Sequence, residues 1–211
     1  MGSVRARTDD ELAARKAEIL KSAKKQLMSM DYDDITLATI AETTSVSRPT
    51  MYRYYEKKEL VFIDLLVSEY ADFEQELQVF LKRKLSRGSF CKKLSSMLWK
   101  RQVLLKLLSL QLPIWRKEYD AQMLQDFVRE SVQYQRTLRA VMEKQFPDAT
   151  AASRNMFRVQ FSVYCNSLYV VEHLPEAMMQ ALIEQEIYDE IPGGEDACYE
   201  GLLLLTAGLE E

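Results

Sequence analysis

The side chains best suited to binding a polar partner are concentrated in one short segment of the N-terminal third. The Arg48 guanidinium can donate two hydrogen bonds to the major-groove edge of a guanine, and Thr50 can bond a base or pack against a thymine methyl group. Arg53 can reach a base or a phosphate, and the hydroxyl groups of Tyr52 and Tyr54 suit phosphate oxygens. This set of donors predicts contact with duplex DNA.

Such donors can read DNA only from a rigid element, and two short helices are predicted around them. Thr36 can cap the first, which must end near Thr43 because the following polar residues favour local side-chain-to-backbone hydrogen bonds. Ser47 can cap the second, over residues 48–55, with Pro49 in the first turn, where a missing N–H costs nothing. The second helix is too short to be stable alone and must dock on its neighbours.

A longer helix is predicted before these two. Thr8 and Glu11 have the spacing of a capping box, and apolar residues then recur at helical spacing to about Met28. Arg5 and Arg7 would lie in an N-terminal arm, where they could probe a minor groove or could equally be solvated and disordered. One longer helix followed by two short helices and a tight turn is a helix-turn-helix layout.

The rest of the chain also reads as helix. A long helix is predicted over residues 57–84, ending near Gly88, and no segment shows strand-like alternation. Further helices are predicted over residues 90–110, 114–118, 120–145, 151–173, 176–188 and 195–209. The predicted fold class is all-α.

Two segments carry a family resemblance: ITLATIA at residues 35–41 and VSRPTMYRYY at residues 46–55, followed by Lys58. Together they resemble the N-terminal signature of TetR-family transcription regulators, over about residues 10–65. The remainder is similar only in length and helical character.

The resemblance implies two domains. A three-helix helix-turn-helix DNA-binding domain would span residues 8–56, and a helical ligand-binding and dimerisation domain would span residues 57–211. In the family, a dimer presents two recognition helices about one DNA turn apart, roughly 34 Å, to a near-palindromic operator. A small-molecule effector bound in the C-terminal domain would change operator affinity.

The predicted DNA contacts combine the donors with the helix caps. Lys58 begins a helix whose free N–H groups also favour an anion, and the capping position of Thr36 offers the same opportunity. The predicted DNA-binding residues are Thr36, Ser47, Arg48, Thr50, Tyr52, Arg53, Tyr54 and Lys58. Met51, Val46 and Tyr55 are expected in the core.

The sequence departs from the family signature at three places. Thr44-Ser45 stands where an Ala-Gly turn is usual, Pro49 where Gly is common, and Tyr54 where His is frequent. Ser45 raises a question about the turn, because a residue other than Gly is disfavoured at positive φ.

The predicted helix 151–173 is apolar on two sides. One stripe holds Phe157, Phe161, Tyr164, Leu168 and Val171, and the other holds Met156, Val159, Val163 and Val170. A monomeric surface helix needs one such stripe, so one side is expected on the subunit core and the other on a second subunit, unless the intramolecular core is larger. The predicted dimer interface comprises Phe157, Phe161, Tyr164, Leu168, Leu202 and Leu205.

Large aromatic and methionine side chains in the middle of the chain suit an adaptable apolar pocket, although at helical spacing they also suit a core. The predicted ligand-binding residues are Trp99, Trp115, Tyr119, Phe127 and Tyr134.

Composition supplies little evidence for other functions. The 28 Lys and Arg against 32 Asp and Glu make the chain acidic, although residues 1–60 hold 11 basic and 10 acidic residues. Three scattered cysteines without CxxC spacing, and no secretory signal, predict a reducing cytoplasm. No apolar run reaches membrane-spanning length, so no membrane partner is expected. The sole histidine, His173, has no metal-ligand spacing, so no metal or cofactor is expected.

Two functions from different classes remain open. The first is a cytoplasmic, homodimeric DNA-binding regulator, most simply a repressor. The second is a helical ligand- or protein-binding module with a degenerate helix-turn-helix, which Thr44-Ser45, Pro49 and the acidic total would suit. An enzyme is disfavoured because neither a Gly-rich phosphate loop nor a Ser-His-Asp order is present.

Overall fold

The computed structural model describes residues 2–110, 121–186 and 193–209, with side chains from Glu11 onward. Within these ranges the chain is helical and contains no strand, which confirms the all-α prediction. The helices are α1 (Gly2–Ser29), α2 (Leu37–Glu42), α3 (Arg48–Tyr54), α4 (Lys58–Leu77), α5 (Val79–Lys82), α6 (Arg87–Trp99), α7 (Gln102–Ser109), α8 (Ala121–Gln145), α9 (Ala151–Glu172), α10 (Glu176–Glu184) and α11 (Gly194–Thr206), with 3₁₀ turns at Tyr32–Asp34 and Ala207–Leu209. The predicted helix 114–118 lies outside the described residues.

Helices α1, α2 and α3 pack around a small apolar core. The side chains of Ile19 and Leu27 from α1, Ile40 from α2 and Met51 from α3 are fully buried there. Burying side chains of this size supplies about 1.5–3 kcal/mol each, which a six- or seven-residue helix needs because it is unstable alone. Helices α2 and α3 are therefore stable only when they are docked on α1.

Three predicted boundaries are wrong. Helix α1 begins at Gly2, so Thr8 lies inside the helix and not at its cap. Helix α4 ends at Leu77, and Ser86 caps α6 by accepting a hydrogen bond from the Ser89 N–H. Gly88 therefore lies in the first turn of a helix and does not terminate one, because a side-chain cap just before it starts a new helix.

The expected helix over residues 90–110 is also divided. It breaks at Arg101, between α6 and α7, with neither Gly nor Pro nearby. The Arg101 guanidinium bonds instead to two carboxylates of α4: both oxygens of Glu76, at 3.0 and 2.9 Å, and Oε2 of Glu69, at 3.4 Å. Contacts with a distant helix accompany this break, so local sequence signals did not reveal it.

Glu69 links the N-terminal and C-terminal parts of the chain. Its side chain is 4% exposed, and Lys24 of α1 approaches its other oxygen, Oε1, at 2.5 Å. A buried carboxylate is costly unless it is paired, and here two cations from different parts of the chain pair with it. Lys106 of α7 adds a second link by donating to the backbone carbonyl of Leu27 in α1.

The C-terminal helices pack on one another and on α4 in pairs. Helix α8 packs on α4, α7 packs on α9, and α6 packs on α11. Within the described ranges, no helix is long and apolar enough to cross a membrane.

Helices α9 and α11 approach each other closely at Gly201. The Tyr164 ring of α9 lies over this glycine, and its hydroxyl donates to the carbonyls of Ala197 and Cys198, at 3.3 and 3.4 Å. A Cβ atom at Gly201 would lie 2.6 Å from Cζ of Tyr164, closer than packed atoms approach. Only glycine fits this crossing without a shift of the ring.

We expect Gly201→Ala to lower the free energy of unfolding by about 1–3 kcal/mol, because the added methyl group overpacks the crossing by more than the improved helix propensity offsets. Chemical denaturation would measure the change. Gly208→Ala is the matched control, since a Cβ there meets nothing within 4 Å. Equal stability of the two variants would contradict the close approach.

Candidate nucleic-acid interface

Helix α3 presents one face to the core and the other to solvent. Met51 is fully buried and Tyr55 nearly so, whereas Tyr52 is 57% exposed and Arg53 is exposed. The Tyr55 hydroxyl donates to Oδ2 of Asp64 on α4, at 2.7 Å. The core positions of Met51, Val46 and Tyr55 are confirmed, and the polar face of α3 is open to a partner.

The start of α3 is formed as the sequence predicts. The Ser47 hydroxyl accepts a hydrogen bond from the Thr50 N–H, and Pro49 lies in the first turn. The hydroxyls of Ser47 and Thr50 also lie 2.8 Å apart. Thr36 caps α2 in the same way, with Thr39 completing a capping box. Both caps are confirmed, and a DNA contact by any of these hydroxyls stays a prediction.

The turn between α2 and α3 is held by a residue of α1. Both oxygens of the Glu18 carboxylate accept hydrogen bonds from Ser45, one from its N–H at 2.5 Å and one from its hydroxyl at 2.7 Å. These two bonds hold the pKa of Glu18 below its usual value. In the described ranges the only non-glycine residue at positive φ is Glu186, so Ser45 is unstrained. Serine here forms an ordered turn without glycine.

Polar side chains of α1 also brace α2. The Ser22 hydroxyl donates to the Ile40 carbonyl at 3.0 Å, and the Gln26 amide donates to the Thr39 carbonyl at 2.8 Å. Both Ser22 and Gln26 are buried. Buried polar groups are costly unless they are hydrogen-bonded. These contacts therefore hold α2, and the turn that follows it, in a defined orientation relative to α1.

Arg48 and Glu42 form an ion pair across the turn. Nη2 of Arg48, the first residue of α3, donates to Oε1 of Glu42, the last residue of α2. The two side chains are 61% and 55% exposed. The predicted base-reading arginine is therefore accessible and lies beside a carboxylate that sequence analysis did not single out.

Lys58 and Tyr54, two further predicted DNA contacts, are also engaged within the protein. The Lys58 ammonium donates to the carbonyls of Tyr32 and Asp33, at 2.6 and 3.3 Å, and lies 4.3 Å from the centre of the Tyr32 ring. Tyr54 is half-buried against the core. Both residues would have to exchange or extend these contacts to reach a phosphate, and their DNA roles stay predictions.

The predicted DNA contacts lie along α2, the turn, α3 and the start of α4, but sequence reasoning missed two carboxylates there. Glu18 lies inside α1, where nothing local marks it. Glu42 carried one signal: a negative charge at the C-terminal end of a helix is electrostatically unfavourable and calls for a partner.

Of the three predicted ligand residues that the structure describes, two lie on α8 and the third ends α6. Phe127 and Tyr134 of α8 lie with Tyr70 of α4, with ring centres 6.4 and 4.6 Å from the Tyr70 ring. Tyr134 is buried, and burial raises the pKa of its hydroxyl well above the usual value. Trp99 lies beside Gly194 at the start of α11. The remaining two candidates, Trp115 and Tyr119, lie outside the described residues.

The predicted dimer residues require a correction. Phe157, Phe161, Leu168 and Leu202 are buried in the core of the subunit itself, and Tyr164 and Leu205 are half-buried. The second stripe of α9 is the exposed one. Its exposed members and the neighbouring residue of α11 are Met156, Val159, Val163, Val170 and Leu204. Sequence periodicity revealed two stripes but did not show which one faces the subunit's own core.

The three cysteines are sequestered, and the sole histidine lies exposed at a helix end. All three cysteines are buried, and burial raises the pKa of the Cys198 thiol to about 12. His173 ends α9 as its C-cap, stacked on Tyr169, which confirms its position at a helix end. In the described part of the chain, no group of three or more His, Cys, Asp or Glu side chains is placed to hold a metal ion.

Comparison with known proteins agrees with this geometry. Residues 19–65 match the family model described as bacterial regulatory proteins, tetR family. The HTH-type transcriptional repressor AcnR of Corynebacterium jeikeium (strain K411) is 34% identical over 58 residues, which are 28% of this chain and 31% of that protein. The match thus spans about a third of the relative's length.

Two solved structures share the overall fold. The fatty acid degradation regulator FadR from Bacillus halodurans has a TM-score of 0.56 at 16% identity, covering 90% of this chain and 94% of that one. A putative TetR-family transcriptional regulator from Mesorhizobium loti MAFF303099 has the same TM-score and identity, covering 92% and 96%. The family match lies on the helices that build the candidate interface. Residues 19–65 are thus similar to the N-terminal region of the TetR family of bacterial regulatory proteins.

Proposed function

We propose that this protein is a sequence-specific DNA-binding transcription regulator, most simply a cytoplasmic repressor. The observation that carries the proposal is the orientation of α3. This helix is docked through Met51 and Tyr55, and it exposes Arg48, Tyr52 and Arg53 on one continuous side. A helix presented in this way can enter a major groove with its donors toward base edges and phosphates.

The structure of the turn supports this function over a degenerate module. Thr44-Ser45 suggested a damaged helix-turn-helix, but Glu18 bonds twice to Ser45 and no positive φ is needed there. Four polar side chains of α1 and the turn form a bonded, ordered support. A protein that no longer positioned α3 would have no need of this support.

We infer that two copies act together. Helices α9 and α11 pack on each other, and their exposed residues Met156, Val159, Val163 and Leu204 form an apolar surface. A groove of about 400 Å³ between the two helices is lined by Met156, Gln160 and Leu204, among others. A second copy of this surface would cover these side chains and place two α3 helices for a near-palindromic operator.

We also infer a small-molecule effector in the C-terminal domain, residues 57–211. The aromatic group of Tyr70, Phe127 and Tyr134 lies between α4 and α8, and α4 continues from the DNA-binding helices. A ligand there would contact the helix that connects the two domains. The ligand would change operator affinity only if it bound one relative arrangement of the two domains more tightly than another arrangement.

Arg48→Ala should weaken specific operator binding by about 1–3 kcal/mol and relax the preference at one operator position. The operator would first be isolated from randomised duplexes, and affinity would then be titrated against salt, where a steep fall is expected from counterion release. Arg129→Ala, which removes an exposed arginine of α8, is the control and should bind as the unaltered protein does. Failure of the unaltered protein to enrich any duplex would favour the ligand- or protein-binding module.

Val159→Asp and Val163→Asp should each convert the dimer to a monomer, because a carboxylate would be buried in an apolar interface without a partner. Sedimentation would measure the mass, and operator affinity should fall with it. Leu12→Asp on α1 is the control, since Leu12 is 56% exposed and lies in the DNA-binding domain. A monomeric unaltered protein, or dimers of both valine variants, would contradict this interface.

Small apolar compounds that bind between α4 and α8 should raise Tm in a concentration-dependent way, and Phe127→Ala should reduce that shift. The same compounds should change operator affinity, and the operator should change their affinity by an equal factor. Trp99→Phe serves as the contrast, because Trp99 lies beside α11. Compounds that raise Tm yet leave operator affinity unchanged would refute an effector role.

A further inference from the structure

The ion pair between Glu42 and Arg48 places a negative charge on the surface that is proposed to face DNA. Glu42 ends α2 and Arg48 begins α3, so the pair spans the turn on the exposed side of the helix-turn-helix. Both side chains are more than half exposed. A carboxylate there would face the phosphates of bound DNA unless another contact requires it.

Stability does not account for the pair. A carboxylate at the C-terminal end of a helix and a cation at the N-terminal end each oppose the partial charges of the free backbone groups. Exposed ion pairs also contribute little to folding. Two residues that each break a local rule, and that bond to each other at the candidate interface, therefore point to a role in recognition.

The pair leaves hydrogen-bonding capacity on both partners. The contact joins Nη2 of Arg48 to Oε1 of Glu42, and within the described ranges no other side chain bonds to either residue. The guanidinium retains donors for the O6 and N7 acceptors of a guanine, and the carboxylate retains Oε2 as an acceptor. The Glu42 carboxylate and the Arg48 guanidinium thus present an acceptor and donors side by side, and the major groove of DNA displays both donors and acceptors on its base edges.

We propose that Glu42 is a specificity-determining residue that accepts a hydrogen bond from the N4 amino group of a cytosine, in the base pair next to the guanine read by Arg48. The inference rests on the proposed function, since it requires α3 in the major groove. Carboxylates accept from cytosine N4, whereas thymine presents the O4 acceptor and a methyl group, which a carboxylate disfavours. The ion pair keeps Glu42 oriented and offsets its charge.

Selection from randomised duplexes with the full chain tests this proposal. The unaltered protein should enrich a cytosine beside the guanine in each half-site. Glu42→Gln should replace that cytosine by adenine, because an amide pairs with adenine N6 and N7, and Glu42→Ala should lose the preference there. Both variants should keep the guanine. Glu130→Gln, which removes an exposed carboxylate of α8, is the charge-matched control and should select the unaltered sequence.

Direct titration supplies the second measurement. Changing the cytosine to thymine should weaken binding of the unaltered protein by about 5- to 10-fold and should leave Glu42→Ala nearly unaffected. If both Glu42 variants bind every duplex more tightly with no change in selected sequence, Glu42 only repels phosphates and the proposal is overturned. If the unaltered protein selects no sequence at all, the proposed function itself fails. If it selects a site and the Glu42 variants select the same site, only the inference about Glu42 is overturned.

Discussion

The docking of α3 is the constraint on which the candidate interface depends. Seven residues are too few to hold a helix in water, so its shape and direction come from Met51 and Tyr55 in the core and from the turn before it. The turn in turn depends on Glu18, a residue of another helix. A change in the relation of α1 to α2 would therefore move every donor of α3 together.

This dependence extends into the C-terminal part of the chain through α4. Asp64 accepts from Tyr55 at 2.7 Å and lies 2.7 Å from the ammonium of Lys16. One turn and a half further along, the buried Glu69 pairs with Lys24 of α1 and with Arg101 at the break between α6 and α7. Charged contacts of this kind require exact positioning of both partners, because the loss of one partner of a buried carboxylate strongly destabilises the folded protein. The two parts of the molecule are thus connected by directional bonds as well as by apolar packing.

The C-terminal helices show a different balance. Gly201 allows α9 and α11 to approach until the Tyr164 ring fills the space between them. The same two helices then leave Met156, Val159, Val163 and Leu204 exposed on their other side. Exposed apolar side chains that cluster on neighbouring helices are a mark of protein contacts. One helix pair thus completes the subunit core and supplies the surface that we assign to a second copy.

The sequence by itself determined most of the helices, the caps at Thr36 and Ser47 and the donors of α3, because these depend on residues within a few positions of one another. Thr36 and Ser47 cap helices at the positions that the sequence indicates. Even at this level, the start of α1 and the cap at Ser86 were misjudged, since alternative local signals competed.

Only the tertiary structure decided the rest. Periodicity shows that α9 has two apolar stripes, but burial of Phe157 and Phe161 depends on which neighbouring helix reaches them. The hydrogen bonds from Ser45 to Glu18, and those from Arg101 to the carboxylates of α4, likewise join residues about 25 or more positions apart. Contacts over such distances follow from the packing of whole helices, and that packing is fixed by the sum of the core and not by any local pattern.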